Sequence, residues 1–115
     1  MPDHQSHRPV RDVDARGAHR LIAEGATVLD VREPYEWADA HIEGSVLIPL
    51  GRLQVGSVPS GRPVVVVCRS GRRSAAAVQA LQSAGRDDVV NLAGGVLAWA
   101  SAGLPLVREG AGARR

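Results

Sequence analysis

The pattern of apolar and polar positions divides the chain into short strands that alternate with helices. Residues 64–67 are four consecutive valines, and a β-branched run that is apolar on both faces is typical of a central strand in a parallel sheet. The apolar stretches at residues 28–31 and 88–92 predict two further strands. Residues 44–49 predict a turn that leads into another short strand.

The helices are predicted from alanine-rich or amphipathic segments that end near a glycine. Either Asp12 or Asp14 can provide the N-cap of the first helix. The four predicted helices are residues 15–23, a short helix starting within 33–37, residues 74–84 before Gly85, and a segment that follows Gly94-Gly95 and ends near Gly103. The alternation of strands and helices favours a three-layer α/β domain with a mainly parallel sheet.

Length and composition indicate one globular domain. A chain of 115 residues with 44% hydrophobic residues is long enough for one core and too short for two domains of ordinary size. We expect a disordered lead at residues 1–9, the domain at residues 10–107 and a disordered tail at residues 108–115. The first ten residues are polar, and no apolar run is long enough to span a bilayer. We therefore expect a cytoplasmic protein that does not bind a membrane.

The ionisable residues argue against several other classes of function. A single cysteine cannot form an internal disulfide, and the 4 histidines show no metal-ligand spacing, so the sequence predicts neither a metal nor another cofactor. The formal net charge is only +2, and the arginines do not line one helix. Nucleic-acid binding is therefore not expected.

The segment after the valine strand carries the candidate chemistry. Cys68 stands where the strand ends, and Arg69, Arg72 and Arg73 follow it closely. Beyond the carboxyl end of a parallel strand, a loop that enters a helix points free N–H groups and the positive end of the helix dipole at the ligand crevice. Such surroundings lower the pKa of a thiol below its usual value of about 8.5. A lone cysteine after an apolar run can also be a small buried hydrophobe, but the three arginines favour a reactive thiolate.

This loop resembles the active-site loop of the rhodanese family. The matching segment is Cys68-Arg69-Ser70-Gly71-Arg72-Arg73-Ser74. Other segments that resemble the family follow in the expected order, and together the motifs span residues 10–107: Leu29-Asp30-Val31-Arg32 with Tyr35-Glu36-Trp37, then residues 41–50, then residues 92–99. Two positions depart from the family pattern, since Ala40 replaces a usual glycine and Glu43 a common proline. Neither lies in the loop.

The resemblance implies a single rhodanese-like domain with a five-stranded sheet flanked by helices, and the activity of a thiosulfate sulfurtransferase. Cys68 would be the catalytic nucleophile, which carries a sulfane sulfur as a persulfide. The rest of the loop would bind substrate: Arg69, Ser70, Gly71, Arg72, Arg73 and Ser74. Asp30 and Arg32 would support the active-site region, and His41 would have a packing and hydrogen-bonding role rather than a catalytic one.

The expected partners are small molecules or a thiol protein. The donor would be thiosulfate or another sulfane-sulfur compound, and the acceptor a small thiol, cyanide or a thioredoxin-like protein. Arg69 beside the nucleophile favours an anionic donor, and it argues against mercaptopyruvate, whose enzymes in this family typically have glycine after the cysteine.

Two alternatives remain open at this stage. Cysteine-based phosphatases also set a cysteine between a strand and a helix, but their signature has five residues between the cysteine and the arginine. Here four residues separate Cys68 from Arg73, and position 74 is serine, so the smaller loop favours a single sulfur atom over a phosphate. The second alternative is a non-catalytic rhodanese-like module that carries sulfur or binds a partner, against which the intact cysteine argues.

Overall fold

A five-stranded parallel sheet forms the centre of the fold in the computed structural model, which describes residues 9–108. The strands are β1 (Asp12–Val13), β2 (Thr27–Asp30), β3 (Val46–Leu47), β4 (Val64–Val67) and β5 (Val89–Leu92). Their order across the sheet is β1-β5-β4-β2-β3, and every neighbouring pair is parallel. β4 is the middle strand, and its four valines are fully buried because helices cover both faces of the sheet. The predicted central strand is confirmed.

Helices pack on both sides of this sheet. They are α1 (Ala15–Ala23), α2 (Pro34–Asp39), α3 (Arg72–Ser83) and α4 (Gly95–Ser101), and two short 3₁₀ turns lie at Leu50–Arg52 and Val55–Ser57. One core contains Val78 and Leu81 of α3, and the other contains Ala18 of α1 and Trp99 of α4. These two cores on opposite faces confirm the three-layer α/β architecture with a parallel sheet.

Several predicted boundaries need correction. α3 begins at Arg72 rather than Ser74, because Gly71 adopts a left-handed φ of 102° that turns the chain into the helix two residues earlier. β1 was not predicted, since two residues form it by pairing with β5 near the other end of the chain. Asp14, and not Asp12, caps α1 by accepting a hydrogen bond from the amide of Gly17 at 2.8 Å.

The predicted lead and tail lie outside the described residues, apart from Pro9 and Arg108. Among residues 9–108, no helix combines the length and the apolar character that crossing a bilayer requires.

Candidate active site

Cys68 follows the last residue of β4, where the middle strand of the sheet ends. Its side chain is buried, with 1% of the residue exposed. The Sγ atom lies 3.1 Å from the amide nitrogen of Gly71 and 3.3 Å from Oγ of Ser74, the first from the loop and the second from the first turn of α3. The sulfur is therefore enclosed by hydrogen-bond donors on the side where the chain turns into the helix.

Two glycines, Gly71 and Gly95, allow the backbone of this loop and the segment before α4 to lie very close together. A Cβ atom on Gly71 would lie 3.0 Å from the amide nitrogen of Gly94, and one on Gly95 would overlap the carbonyl groups of Cys68 and Arg69. The same carbonyl oxygens accept hydrogen bonds from the first amides of α4, Val96 N at 2.8 Å and Leu97 N at 3.1 Å. The Gly94-Gly95 pair therefore lies in close backbone contact with the loop that follows Cys68.

These contacts set the acidity of the thiol. Burial raises the pKa of Cys68, but hydrogen bonds from the Ser74 hydroxyl and from the amides of Ser74, Gly71 and Ser70 lower it by more. The pKa therefore lies below its ordinary value. A larger share of Cys68 is thiolate near neutral pH than for a free cysteine, and the thiolate is the nucleophilic form.

The three arginines of the loop have different surroundings. Arg73 donates two hydrogen bonds to the carboxylate of Glu36 on α2, at 2.7 and 2.9 Å. The hydrogen bonds from Arg73 lower the pKa of Glu36 to about 2, and the same pair raises the pKa of Arg73. Arg69 and Arg72 are exposed, and neither forms an ion pair within residues 9–108.

A cavity of about 290 Å³ lies between α2, the loop and α4. Arg69 lines it from the loop, Tyr35 and Glu36 line it from α2, and Leu97 lines it from α4. Arg72 and Arg73 are not among the lining residues. Arg69 is thus the loop arginine that lines this cavity, and it has no ion-pair partner in the part of the chain that the structure describes.

Asp30 and Arg32 form a buried ion pair at the end of β2. Arg32 donates from Nε and Nη2 to the Asp30 carboxylate, with the shortest bond 2.8 Å, and its Nη2 also donates to the carbonyl of Ala40 at 2.7 Å. The pair connects β2 to the end of α2. Its effect on activity stays a prediction.

His41 follows α2 closely and packs against Trp37 of that helix. Its ring stacks on Trp37 with the two centroids 3.6 Å apart, and Nδ1 lies 2.7 Å from the carbonyl oxygen of Trp37. Its backbone forms an isolated bridge with Val107. These contacts give His41 the packing and hydrogen-bonding role that the sequence analysis expected.

Sequence reasoning missed two contributors to the site. Glu36 was noted only as part of a motif, although its spacing from Glu33 is that of a capping box, which the structure contains. Asn91 was treated as part of a strand, although its Oδ1 accepts a hydrogen bond from Ser74, which also contacts Cys68. An asparagine within an otherwise apolar strand was the signal that could have identified it.

Comparison with known proteins agrees with this geometry. The family model described as "Rhodanese-like domain" matches residues 14–102. The chain belongs to the rhodanese-like domain family. A rhodanese-related protein of Thermoplasma volcanium has a similar solved structure, with a TM-score of 0.79 and 36% identity, covering 86% of this chain and 99% of that one.

Relatives identified by sequence point in the same direction. A sulfurtransferase of Allochromatium vinosum is 36% identical over 102 residues, which cover 85% of this chain and 95% of that protein. An uncharacterized protein of Synechocystis is 42% identical over 92 residues, 77% of this chain, and this rhodanese-like chain spans 51% of that relative's length. The chain therefore belongs to a family in which at least one similar protein is named a sulfurtransferase.

Proposed function

We propose that this rhodanese-like protein is a thiosulfate sulfurtransferase that carries the transferred sulfur as a persulfide on Cys68. The observation that supports the proposal most directly is the buried Cys68 sulfur, which accepts hydrogen bonds from the loop and from Ser74. These donors stabilise negative charge on Sγ, both in the attacking thiolate and in the thiolate that re-forms when the outer sulfur is transferred.

The proposed reaction has two steps. In the first, the Cys68 thiolate attacks the outer sulfur of thiosulfate, a new S–S bond forms, the bond between the two thiosulfate sulfurs breaks, and sulfite leaves with the bonding electron pair. In the second, the acceptor attacks the outer sulfur of the persulfide, and the electrons of that S–S bond return to Cys68 as a thiolate. With cyanide as the acceptor the product is thiocyanate, and no oxidant or reductant is consumed in either step.

Arg69 is the residue that we assign to binding of the anionic donor. It is the loop arginine that lines the cavity, and it forms no ion pair within the described residues, so its charge is available. Arg73 donates two hydrogen bonds to Glu36, which makes it a poorer candidate for the substrate contact that was predicted. Arg72 is exposed and lies outside the cavity lining, so a role in substrate binding stays a prediction.

A sulfur carrier is the second candidate function, because a carrier forms the same persulfide and differs only in what removes the sulfur. The intact Cys68 surroundings are compatible with both functions. A phosphatase is disfavoured, since the position of its arginine is occupied by Ser74 and the adjacent Arg73 is paired with Glu36.

Steady-state transfer from thiosulfate to cyanide tests the proposed enzyme. The wild-type protein should form many thiocyanate molecules per chain, and Cys68→Ser should form none above the uncatalysed rate while keeping the same circular dichroism spectrum. Thiocyanate formation that stops after one equivalent would instead identify a carrier. Full activity in the Cys68→Ser variant would contradict a persulfide on this residue.

A further inference from the structure

A chain of polar contacts connects the edge strand β1 to Cys68. Asp12 and Asn91 are direct partners in the neighbouring strands β1 and β5. Nδ2 of Asn91 donates to Oδ1 of Asp12 at 2.9 Å and to the carbonyl oxygen of Gly71 at 3.4 Å. A carboxylate and a carbonyl can only accept hydrogen bonds, so these two partners fix the orientation of the amide. Oδ1 of Asn91 therefore faces Ser74, where it lies 2.5 Å from Oγ.

The Ser74 hydroxyl has two neighbours that compete for its hydrogen. Asn91 Oδ1 cannot donate, so the short contact between the two oxygens requires the Ser74 hydrogen to lie between them. Sγ of Cys68 is 3.3 Å from the same Oγ atom. Since a serine hydroxyl has one hydrogen, it cannot serve both acceptors fully at the same time.

The preferred position of that hydrogen depends on the state of Cys68. A protonated thiol can donate its own hydrogen to Oγ, and Ser74 then keeps its bond to Asn91. A thiolate has no hydrogen to donate, so its stabilisation by Ser74 requires the hydroxyl to turn away from Asn91. In a persulfide the negative charge lies on the outer sulfur, and the hydroxyl is again free to bond Asn91.

We propose that Asn91, oriented by Asp12, is a positioning residue that competes with Cys68 for the hydroxyl hydrogen of Ser74. This competition disfavours the Cys68 thiolate that carries no sulfur, relative to the thiol and the persulfide. The part concerning the persulfide rests on the proposed sulfur transfer. The competition between thiol and thiolate does not, because it needs only the contacts among Asn91, Ser74 and Cys68.

Charged groups on the surrounding elements also act on Cys68 and must be held constant in a test. They are Arg69 in the loop, Arg73 on α3 with its partner Glu36 on α2, the Asp30 and Arg32 pair at the end of β2, and Asp12 on β1. Asn91→Leu removes the acceptor without changing any of these charges, and leucine has the same number of side-chain heavy atoms with the same branching at Cγ, at a site that is 4% exposed.

The test is the pH profile of Cys68 alkylation by iodoacetamide, an uncharged reagent, in the absence of any sulfur donor. Cys68 is the only cysteine in the chain, so the rate reports on one thiol. At a pH below the midpoint of the wild-type profile, Asn91→Leu should react about tenfold faster, because the full Ser74 hydrogen bond then stabilises the thiolate. Ser74→Ala should react more slowly than wild type.

The decisive comparison uses the double variant. In the Ser74→Ala background, Asn91→Leu should have no effect on the rate, because no hydroxyl hydrogen remains to be shared. If Asn91 merely held the loop in shape, Asn91→Leu would lower the alkylation rate, because a looser loop loses amide contacts to Sγ and the thiolate becomes less stable. An unchanged or lower rate in Asn91→Leu, or an equal rise in both backgrounds, would overturn the proposal.

A second pair of variants covers the case in which Asn91→Leu does not fold. Asp12 is exposed, and Asp12→Ala releases the amide of Asn91 while removing one negative charge. Loss of the Asp12 charge affects the Cys68 thiolate whether or not Ser74 is present. The effect through the position of the hydroxyl hydrogen requires Ser74. A rise in rate that is larger with Ser74 present than in Ser74→Ala supports the proposal, and an equal rise or none overturns it. Because no donor is used, a failure of thiosulfate turnover leaves this result unaffected.

Discussion

Replacing Arg69 with alanine should weaken the use of thiosulfate without disturbing the fold. Arg69 is exposed and lines the cavity beside the loop, and no ion pair within residues 9–108 holds it. A hydrogen bond to a charged group contributes about 1.5 to 3 kcal/mol, which corresponds to roughly a tenfold to hundredfold change in kcat/KM. Solvent screens an exposed guanidinium, so we expect the lower end, about tenfold.

Arg72→Ala provides a matched control for this prediction. Arg72 carries the same charge, is also exposed and lies in the same segment, but it does not line the cavity. Both variants lose the same general attraction for an anion, so the difference between them isolates the local contact. The assay is kcat/KM for thiosulfate at saturating cyanide, measured at two ionic strengths, with thermal unfolding to confirm that both variants are folded.

Two results would refute the reasoning. If Arg69→Ala retained the wild-type kcat/KM, Arg69 would be a solvated surface residue. If Arg69→Ala and Arg72→Ala lost activity equally and high salt removed the loss in both, the effect would be long-range attraction rather than a contact in the cavity.

Two further predictions concern stability. Glu36→Gln should lower the free energy of unfolding at neutral pH by about 1 kcal/mol, since the partly exposed Arg73 limits the value of the pair. The folded-state pKa of Glu36 is depressed from 4.5 to about 2, so the stability that the pair contributes is present above pH 4.5 and is lost as the pH falls towards 2. Urea denaturation curves of the wild type and Glu36→Gln should therefore converge near pH 2. Glu33→Gln is the control, because Glu33 has no ion pair among the described residues and its replacement should not show this loss. Gly95→Ala should cost more than the roughly 1 to 2 kcal/mol of a left-handed φ alone and should lower sulfur transfer, because its Cβ overlaps the carbonyls of Cys68 and Arg69. Gly103→Ala, with positive φ but open space, should show only the smaller cost in thermal unfolding and keep its activity.

Local sequence was sufficient wherever one segment determines its own structure. The four valines of β4 have both faces buried, and Cys68 lies directly beyond them, because an apolar β-branched run has few alternatives to a central strand. The stop of α3 was also predictable, since Gly85 adopts the left-handed φ of 98° that ends a helix. The start of α3 was not, because it depends on the backbone of Gly71 meeting Gly94 from a distant segment.

Contacts between distant residues account for what the sequence did not reveal. Glu36 and Arg73 are separated by 37 positions, and the choice of Glu36 as the partner of Arg73 follows from how α2 packs beside the loop. Ser74 and Asn91 meet only because β5 lies next to β4 in the sheet. Loop composition therefore predicted Cys68 and the three arginines as site residues. It could not show that Arg73 pairs with Glu36, whereas Arg69 forms no ion pair among the described residues.

The most direct test of the account is the mass of the intact protein after treatment with thiosulfate. The wild-type protein should gain the mass of one sulfur atom, lose it on addition of excess cyanide, and show no hydrolysis of an aryl phosphate, while Cys68→Ser should gain no mass. A wild-type protein that gains no sulfur under these conditions, or a Cys68→Ser variant that gains it equally, would contradict the claim that Cys68 carries the sulfur.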